Sequence, residues 1–319
     1  MPSASPRPVC VLGLGLIGGS LLRRLAPDRP AFGYNRSAAT VEAATADGYD
    51  ASTDLPATLR RAAESDAVIV LATPADTLGP IVDAVAEHAP DCLLTDVVSV
   101  KETVTRVVAR HHPTARYVGG HPMAGTAYSG WEATDPLLFV DAMWVVATHD
   151  DTDADDWSTI AELARAAGAF VVPAADDAHD RAAAAISHNP HLTAAVTAAV
   201  GAGESLLPLR LAAGSFRDGT RVAGTAPQLQ RAMLEANSVA LLNTLSETID
   251  RLVAARDRLR DYGDVAELIE AGHRARLAYQ EIAAGAPEPI TGVEIGADGW
   301  AQELRRQAHL GRVWLGPEA

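Results

Sequence analysis

Positive charge is scarce in this chain. Its 319 residues carry 26 Lys and Arg against 41 Asp and Glu, a formal net charge of −15 at neutral pH. That balance argues against nucleic acid as a general partner, because phosphate backbones are held by basic surfaces. It also requires that any site for an anionic substrate be a local cationic pocket. Cysteine is nearly absent: Cys10 and Cys92 stand alone, with neither metal nor redox spacing. A reduced compartment is the expectation. No run approaches the ~18 apolar residues of a membrane span. Met1–Val9 is short and proline-rich, without the apolar core of a leader. A soluble, cytoplasmic protein with no membrane partner is expected. Two histidines near residue 190 have Asp177, His179 and Asp180 close by in sequence. No compact ligand motif such as H-E-x-x-H accompanies them, so no metal is expected.

What is present begins at Val9. An apolar run, Val9–Leu12, leads into Gly13-Leu14-Gly15-Leu16-Ile17-Gly18 and then an apolar helix, Leu16 to Leu25. This is G-x-G-x-x-G between strand and helix. The first glycine permits the tight turn, the second the approach of a pyrophosphate, the third close helix–strand packing. Gly13, Gly15, Leu16, Ile17 and Gly18 are therefore cofactor-binding candidates, with free N–H groups at the helix start facing the phosphates.

The second strand, Ala31–Tyr34, ends in Asn35-Arg36-Ser37. NAD-binding folds place an acid here, on the ribose 2′-hydroxyl. Asn35 carries no charge to repel a 2′-phosphate, and Arg36 is able to pair with one. NADP is therefore expected to be accepted alongside or in preference to NAD. Ser37 also reads as the cap of the next helix, which is compatible. The run Asp66–Ala72 is a central parallel strand ending in Thr73-Pro74, at the edge where ligands sit. Cys92–Val97 is the next strand, followed by Val98-Ser99-Val100-Lys101 and another helix. Strands alternating with helices predict a doubly wound, Rossmann-type α/β sheet. Met143–Ala147 and Phe170–Val172 add strands around a helix, Asp153 to Ala167, so the first domain is expected to cover 1–173.

Within it, Tyr117–Gly125 delivers His121 onto a glycine-rich, proline-stiffened loop. A base that titrates near neutrality suits alcohol oxidation, since hydride transfer from an alcohol requires loss of its proton.

From Asp176 strand signals vanish. Asp180 to Gly201, Pro227 to Arg260 and Val265 to Ala284 read as long helices, giving an all-α second domain over 174–319 with a short tail. Its apolar faces exceed what one small bundle covers, so a homodimer through these helices is expected. His188 and His191 are three residues apart and share a helix face. Pro190 between them implies a kink or a helix start. They read as substrate contacts. Ala213–Arg221 reads as a loop carrying Arg217 and Arg221, with Asp218 able to orient one and leave the other for a carboxylate.

Five motifs now stand in order. They are Gly13–Ser20, Asp96–Lys101, His121-Pro122-Met123-Ala124-Gly125-Thr126, Ser187–His191 and Phe216–Arg221. Together they resemble the prephenate/arogenate dehydrogenase family of tyrosine biosynthesis, from Val9 to about Leu252. The resemblance implies oxidative decarboxylation of a small cyclohexadienyl substrate with NAD or NADP. It implies that His121 takes or bonds the ring hydroxyl's proton. Ser99 holds that hydroxyl and the histidine, Arg221 binds a substrate carboxylate, and His191 lines the site. Thr126, which closes the His-Pro motif, is a further substrate-binding candidate. The chain departs from the family pattern at Val98, Ala127, Asn189 and Gln230. The last three lie near the expected place of the substrate side chain, which is keto in prephenate and amino in arogenate. Two other readings are a 3-hydroxy-acid or imine-type dehydrogenase and a dinucleotide-sensing protein without chemistry. The His121 and Arg217–Arg221 motifs speak against the first, and Ser99, His121 and Arg221 together against the second.

Overall fold

A computed structural model of the chain describes residues 6–126, 128–203 and 205–316. The apolar runs form a five-stranded parallel sheet in the order β3-β2-β1-β4-β5. Its strands are β1 (Val9–Leu12), β2 (Ala31–Tyr34), β3 (Ala51–Ser52), β4 (Val68–Leu71) and β5 (Leu94–Asp96). All residues of β1 and β4 are buried, as strands covered on both faces must be. The helices between them are α1 (Leu16–Leu25), α2 (Ala38–Ala46), α3 (Leu55–Glu64) and α4 (Leu78–His88), with α5 (Glu102–His111) after β5. Asp54 caps α3 through a 2.9 Å bond from the Ala57 N–H. The chain runs outward from β1 to β3, then crosses to β4. The carboxyl ends of β1 and β4 therefore flank the point where strand order reverses, which is where such sheets bind ligands.

The next three strands do not extend this sheet. β6 (Gly120–Pro122), β7 (Met143–Ala147) and β8 (Phe170–Ala174) form a second sheet, β6 antiparallel to β7 and β8 parallel to it. One bridge, Leu94 to Tyr117, ties its approach to β5. α6 (Ala154–Ala166) packs on β7 and β8. His121 is thus the middle residue of a strand, not of a loop as expected.

The tail corrects the domain boundaries expected from sequence. Two compact units divide the chain: one holds the residues to His179 together with those from Pro289 onward, the other Asp180–Glu288. The tail returns because it carries apolar surface with a place to go. α14 (Trp300–Ala308) lies on β8, and Trp314 bonds Val171 through its backbone at 2.8 Å. Trp157 meets Trp300 and Trp314 edge to face, with centroids 5.5 and 5.2 Å apart.

The second unit is helical. α7 (Asp176–Ala183) spans the division and continues through a π turn, Ala184–His188, into α8 (Asn189–Ala202). The π turn is the physical form of the kink Pro190 predicts. A proline ring clashes with the carbonyl four residues back, and a widened turn relieves it. α9 (Leu207–Leu211), α10 (Gly214–Thr220), α11 (Pro227–Ala236), α12 (Ser238–Tyr262) and α13 (Ala266–Ala284) follow. Two expectations change here. The stretch 213–221 is not a loop: it is α10 running into a 3-10 turn, Arg221–Gly224. Phe216 seats α10 against Gly201, where a Cβ would lie 2.4 Å from its ring. The helix expected over 227–260 is broken at Asn237, whose buried side chain donates to the Asp180 carbonyl at 2.8 Å. Among the described residues no helix is long and apolar enough to cross a membrane.

Candidate active site

The glycines of the first turn are needed for three different reasons. Gly13 has φ +109°, and a Cβ there would lie 2.6 Å from the Ala72 carbonyl oxygen. At Gly18 a Cβ would lie 1.9 Å from the Gly13 oxygen. At Gly15 it would meet no protein atom within 4 Å. Packing does not require a glycine at 15; close approach of a pyrophosphate would. α1 starts directly after it, with no side chain capping its first N–H groups. Across the strand-order reversal, the Thr73 hydroxyl oxygen is buried without a hydrogen-bond partner among the described residues. These residues fit a dinucleotide: Gly13, Gly15, Leu16, Ile17 and Gly18 would hold its pyrophosphate, with Thr73-Pro74 beside Gly13. At the end of β2, Asn35 is half-buried and Arg36 exposed. Ser37 caps α2 by accepting from the Thr40 N–H at 3.4 Å.

Ser99 lies in the half-buried loop after β5, and His121 one residue into β6. One buried cluster, which sequence reasoning missed, holds both segments. Asp96 and Lys101 form an ion pair with both side chains 0% exposed. Lys101 also donates to the Gly120 carbonyl at 2.6 Å. Asp96 accepts from the Val98 N–H at 2.8 Å, the Gly120 N–H at 3.2 Å and the Tyr117 hydroxyl at 2.6 Å. Burial, the Asp96 charge and this bond push the Tyr117 hydroxyl well above its ordinary range, so it stays a donor. The cluster thus clamps the residue before Ser99 and the residue before His121 to the end of β5. The signal was available: Lys101 is the only lysine among the 26 basic residues.

His121 has a partner that the sequence offered only as a remote metal ligand. Its Nδ1 lies 2.8 Å from Nε2 of His179, with the rings edge to face. His179 is 4% exposed and sits in the second turn of α7. The start of α7 is fixed by Asp176, which accepts from the Thr105 hydroxyl at 2.6 Å and pairs with His149 at 3.2 Å. Burial alone would raise the Asp176 carboxyl. Bonds from His149 and Thr105 outweigh burial and hold it below its ordinary value of 3.8. The same bond raises His149 above 6.5.

The two shifts have opposite consequences for stability. The Asp176 share is present above about pH 4 and lost as pH falls through its lowered pKa; the His149 share is complete below about pH 6.5 and lost as pH rises through its raised pKa. His149 is 40% exposed on its side chain, so solvent screening keeps the effect under about 1 kcal/mol. Urea titrations of wild type and His149→Gln should therefore differ most between about pH 4 and 6.5 and converge above. A gap that widens toward pH 9 would contradict the pairing. Among the described residues no group of three or more His, Cys, Asp or Glu side chains is placed to hold a metal ion.

The second unit gathers its own polar cluster. His191, early in α8, receives a 3.0 Å bond on Nδ1 from the Gln230 side-chain amide. Burial first, then the nearby Arg221 charge, lower its pKa. It is therefore neutral at pH 7 and, with Nδ1 accepting, carries its proton on Nε2. His188 differs: it is 1% exposed, and its Nδ1 meets the Asn237 side-chain amide at 3.1 Å. The Pro190 bend thus sends two histidines of one motif to different surroundings. Asp218 pairs with Arg217 at 3.1 Å, both exposed, while Arg221 heads the following turn. Thr126 is exposed and accepts from the Tyr128 N–H at 3.2 Å; Ala127 lies outside the described residues.

Two family models match consecutive stretches of the chain. Residues 18–173 match the nucleotide-binding domain of prephenate dehydrogenase, and 175–271 its dimerization domain. A prephenate dehydrogenase of Bacillus subtilis is 31% identical over 265 residues, 80% of this chain and 69% of that protein. A cyclohexadienyl dehydrogenase of Zymomonas mobilis is 30% identical, over 85% and 96%. Among solved structures, a Corynebacterium glutamicum protein provisionally named a prephenate dehydrogenase superposes with a TM-score of 0.91 at 44% identity, covering 98% and 99%. An arogenate dehydrogenase of Synechocystis superposes at 0.73 with 29% identity, covering 85% and 99%.

Proposed function

The chain belongs to the prephenate dehydrogenase family, and on that premise we propose that it converts prephenate to 4-hydroxyphenylpyruvate and carbon dioxide in tyrosine biosynthesis. It is an NAD(P)-dependent oxidoreductase. What carries the substrate reading is that a chain of net charge −15 has both an acid–base candidate, His121, and a cationic candidate for a carboxylate, Arg221, each within a family motif.

The bound nicotinamide supplies the hydride acceptor. The chain's own residues manage one proton and two carboxylates. His121 takes the ring hydroxyl's proton as the carbon beneath it loses hydride. Ser99 donates to the same oxygen and orients it. The ring carboxylate then leaves as carbon dioxide; its bonding electrons pass into the ring, and the oxygen recovers a proton from His121 as the phenol forms. No net proton is produced. Arg221 grips a carboxylate, and neutral His191 offers its Nε2–H alongside. Arg217, His188 and Thr126 are further candidates for substrate contact. Arg221 must hold its ligand without favouring the ground state, or the reaction gains nothing. Losing its charge-assisted bonds should raise KM for prephenate about 10- to 100-fold in Arg221→Gln. Initial-rate measurements at saturating cofactor check this, and an unchanged KM removes Arg221 from substrate binding.

For the cofactor, Asn35, exposed Arg36 and Ser37 at the start of α2 favour a 2′-phosphate. NADP should have the higher kcat/KM, and Arg36→Ala should lower the NADP value about tenfold with little effect on NAD. The opposite order of preference contradicts this assignment. The substrate-binding unit is also the dimerisation unit: α12 and α13 expose Val239, Leu242, Ile249, Leu252, Ile269 and Ile282, and a homodimer covers them. Arogenate is the second reading, favoured by the Synechocystis relative. A steady-state matrix of both substrates with both cofactors tests the whole proposal. The prephenate–NADP cell should dominate; no turnover in any cell overturns it.

A further inference from the structure

The 2.8 Å contact between His121 Nδ1 and His179 Nε2 holds one proton, and where that proton sits decides whether His121 can act. If His179 donates, His121 carries its own proton on Nε2 and has no lone pair there for a substrate proton. If His121 donates from Nδ1, its Nε2 is left as the base. A neutral imidazole without a partner at Nδ1 prefers the Nε2–H form, which is the wrong one for this role, and hydrogen bonding at the other nitrogen sets the choice. We propose that His179 is a positioning residue for His121: its Nε2 accepts the His121 Nδ1–H and keeps the imidazole in the tautomer that can take a proton.

The inference rests on His121 being the proton acceptor, and on three observations independent of that reading. His179 is buried to 4% exposure, so its ring nitrogens need partners within the protein. It is held rigidly, one turn into a helix whose first residue, Asp176, is bonded to Thr105 of α5 and to His149. The His179 N–H itself bonds the Ala175 carbonyl at 2.9 Å. Finally, the His121 backbone is fixed from the other side, by its strand register opposite Val145 and by the clamp on Gly120. Two imidazoles on separately anchored backbones, meeting nitrogen to nitrogen, make a tautomer lock. The partner is a second imidazole where a carboxylate is the more familiar orienter.

The test separates tautomer from activity. In 15N-histidine spectra at about pH 8, where ordinary imidazoles are neutral, wild-type His121 should show a protonated Nδ1 and an unprotonated Nε2. The His121 signals are identified by their loss in His121→Asn. His179→Phe keeps a ring for packing but removes the acceptor; it should move His121 to the Nε2–H form and lower kcat about tenfold or more with KM nearly unchanged. His179→Gln restores an acceptor oxygen and should recover most of kcat and the original tautomer. A protonated Nε2 on wild-type His121 overturns the proposal, as do equal rates for the Phe and Gln variants. Should the Phe variant fail to fold, the wild-type spectrum and the Gln variant still decide. If His121→Asn keeps full activity while the tautomer is as stated, the base assignment fails and the pairing survives. If His121→Asn is inactive while His179→Phe changes neither tautomer nor rate, the pairing fails and the base assignment survives.

Discussion

His121→Asn is expected to lower kcat by about 10²- to 10⁴-fold, the range over which positioned acid–base groups act, while KM for prephenate changes only a few-fold. Asparagine nearly matches the imidazole in size and still bonds a hydroxyl, so binding through Arg221 is retained. What it lacks is a site that accepts a proton near neutral pH. The ring oxygen must be deprotonated as hydride leaves and reprotonated when the phenol forms, and in the proposed mechanism both moves pass through residue 121. Aromatisation and loss of carbon dioxide supply the driving force, which leaves proton handling and alignment as the protein's share. Single-turnover and steady-state rates with saturating cofactor measure the effect. A variant with wild-type kcat removes His121 from the chemistry.

Lys101→Met should cost about 3–5 kcal/mol of folding stability, because it strands the Asp96 carboxylate in the interior. Both side chains of the pair are 0% exposed. Asp96 would keep its bonds from Val98, Gly120 and Tyr117, which places the loss toward the lower end. Lys101→Arg should not rescue it. A guanidinium is larger, and the lysine stem already runs beside Gly119, where a Cβ would lie 3.3 Å from Lys101 Cδ. The double variant Lys101→Met, Asp96→Asn should recover part of the loss, since it removes the uncompensated charge. Equilibrium urea unfolding reads all three. A loss under about 1 kcal/mol for Lys101→Met would mean that the pair is solvated.

Legibility in the sequence follows how local each feature's cause is. The glycine turn was readable because each glycine answers to a nearby constraint, such as the Ala72 carbonyl at Gly13 and the Gly13 carbonyl at Gly18. β1 and β4 were readable because burial on both faces leaves an uninterrupted apolar run. Pro190 announced its disturbance, and the π turn at Ala184–His188 is its form. The failures have distant causes. α10 reads as a glycine-rich loop until Phe216 is seen against Gly201. The break at Asn237 depends on the Asp180 carbonyl, 57 residues earlier. The tail joins the first unit because Trp300 and Trp314 find Trp157, and no periodicity encodes that pairing. In the candidate site, His121, Ser99 and the glycines were legible as motifs, whereas the residues that hold them in place were not. His179 lies 58 positions from His121, and Lys101 looked like the start of a helix rather than the centre of a clamp. Motifs mark groups that meet ligands; the groups that orient them are chosen by the fold.

The most direct test of the account is stoichiometric. The purified protein is given prephenate labelled in its ring carboxylate, with NADP in excess, and released carbon dioxide is counted against reduced cofactor. One carbon dioxide per reduced cofactor, with 4-hydroxyphenylpyruvate as the product, is the predicted result. Reduced cofactor without carbon dioxide would contradict it, because that outcome belongs to an ordinary alcohol dehydrogenase and leaves the aromatising step without an enzyme.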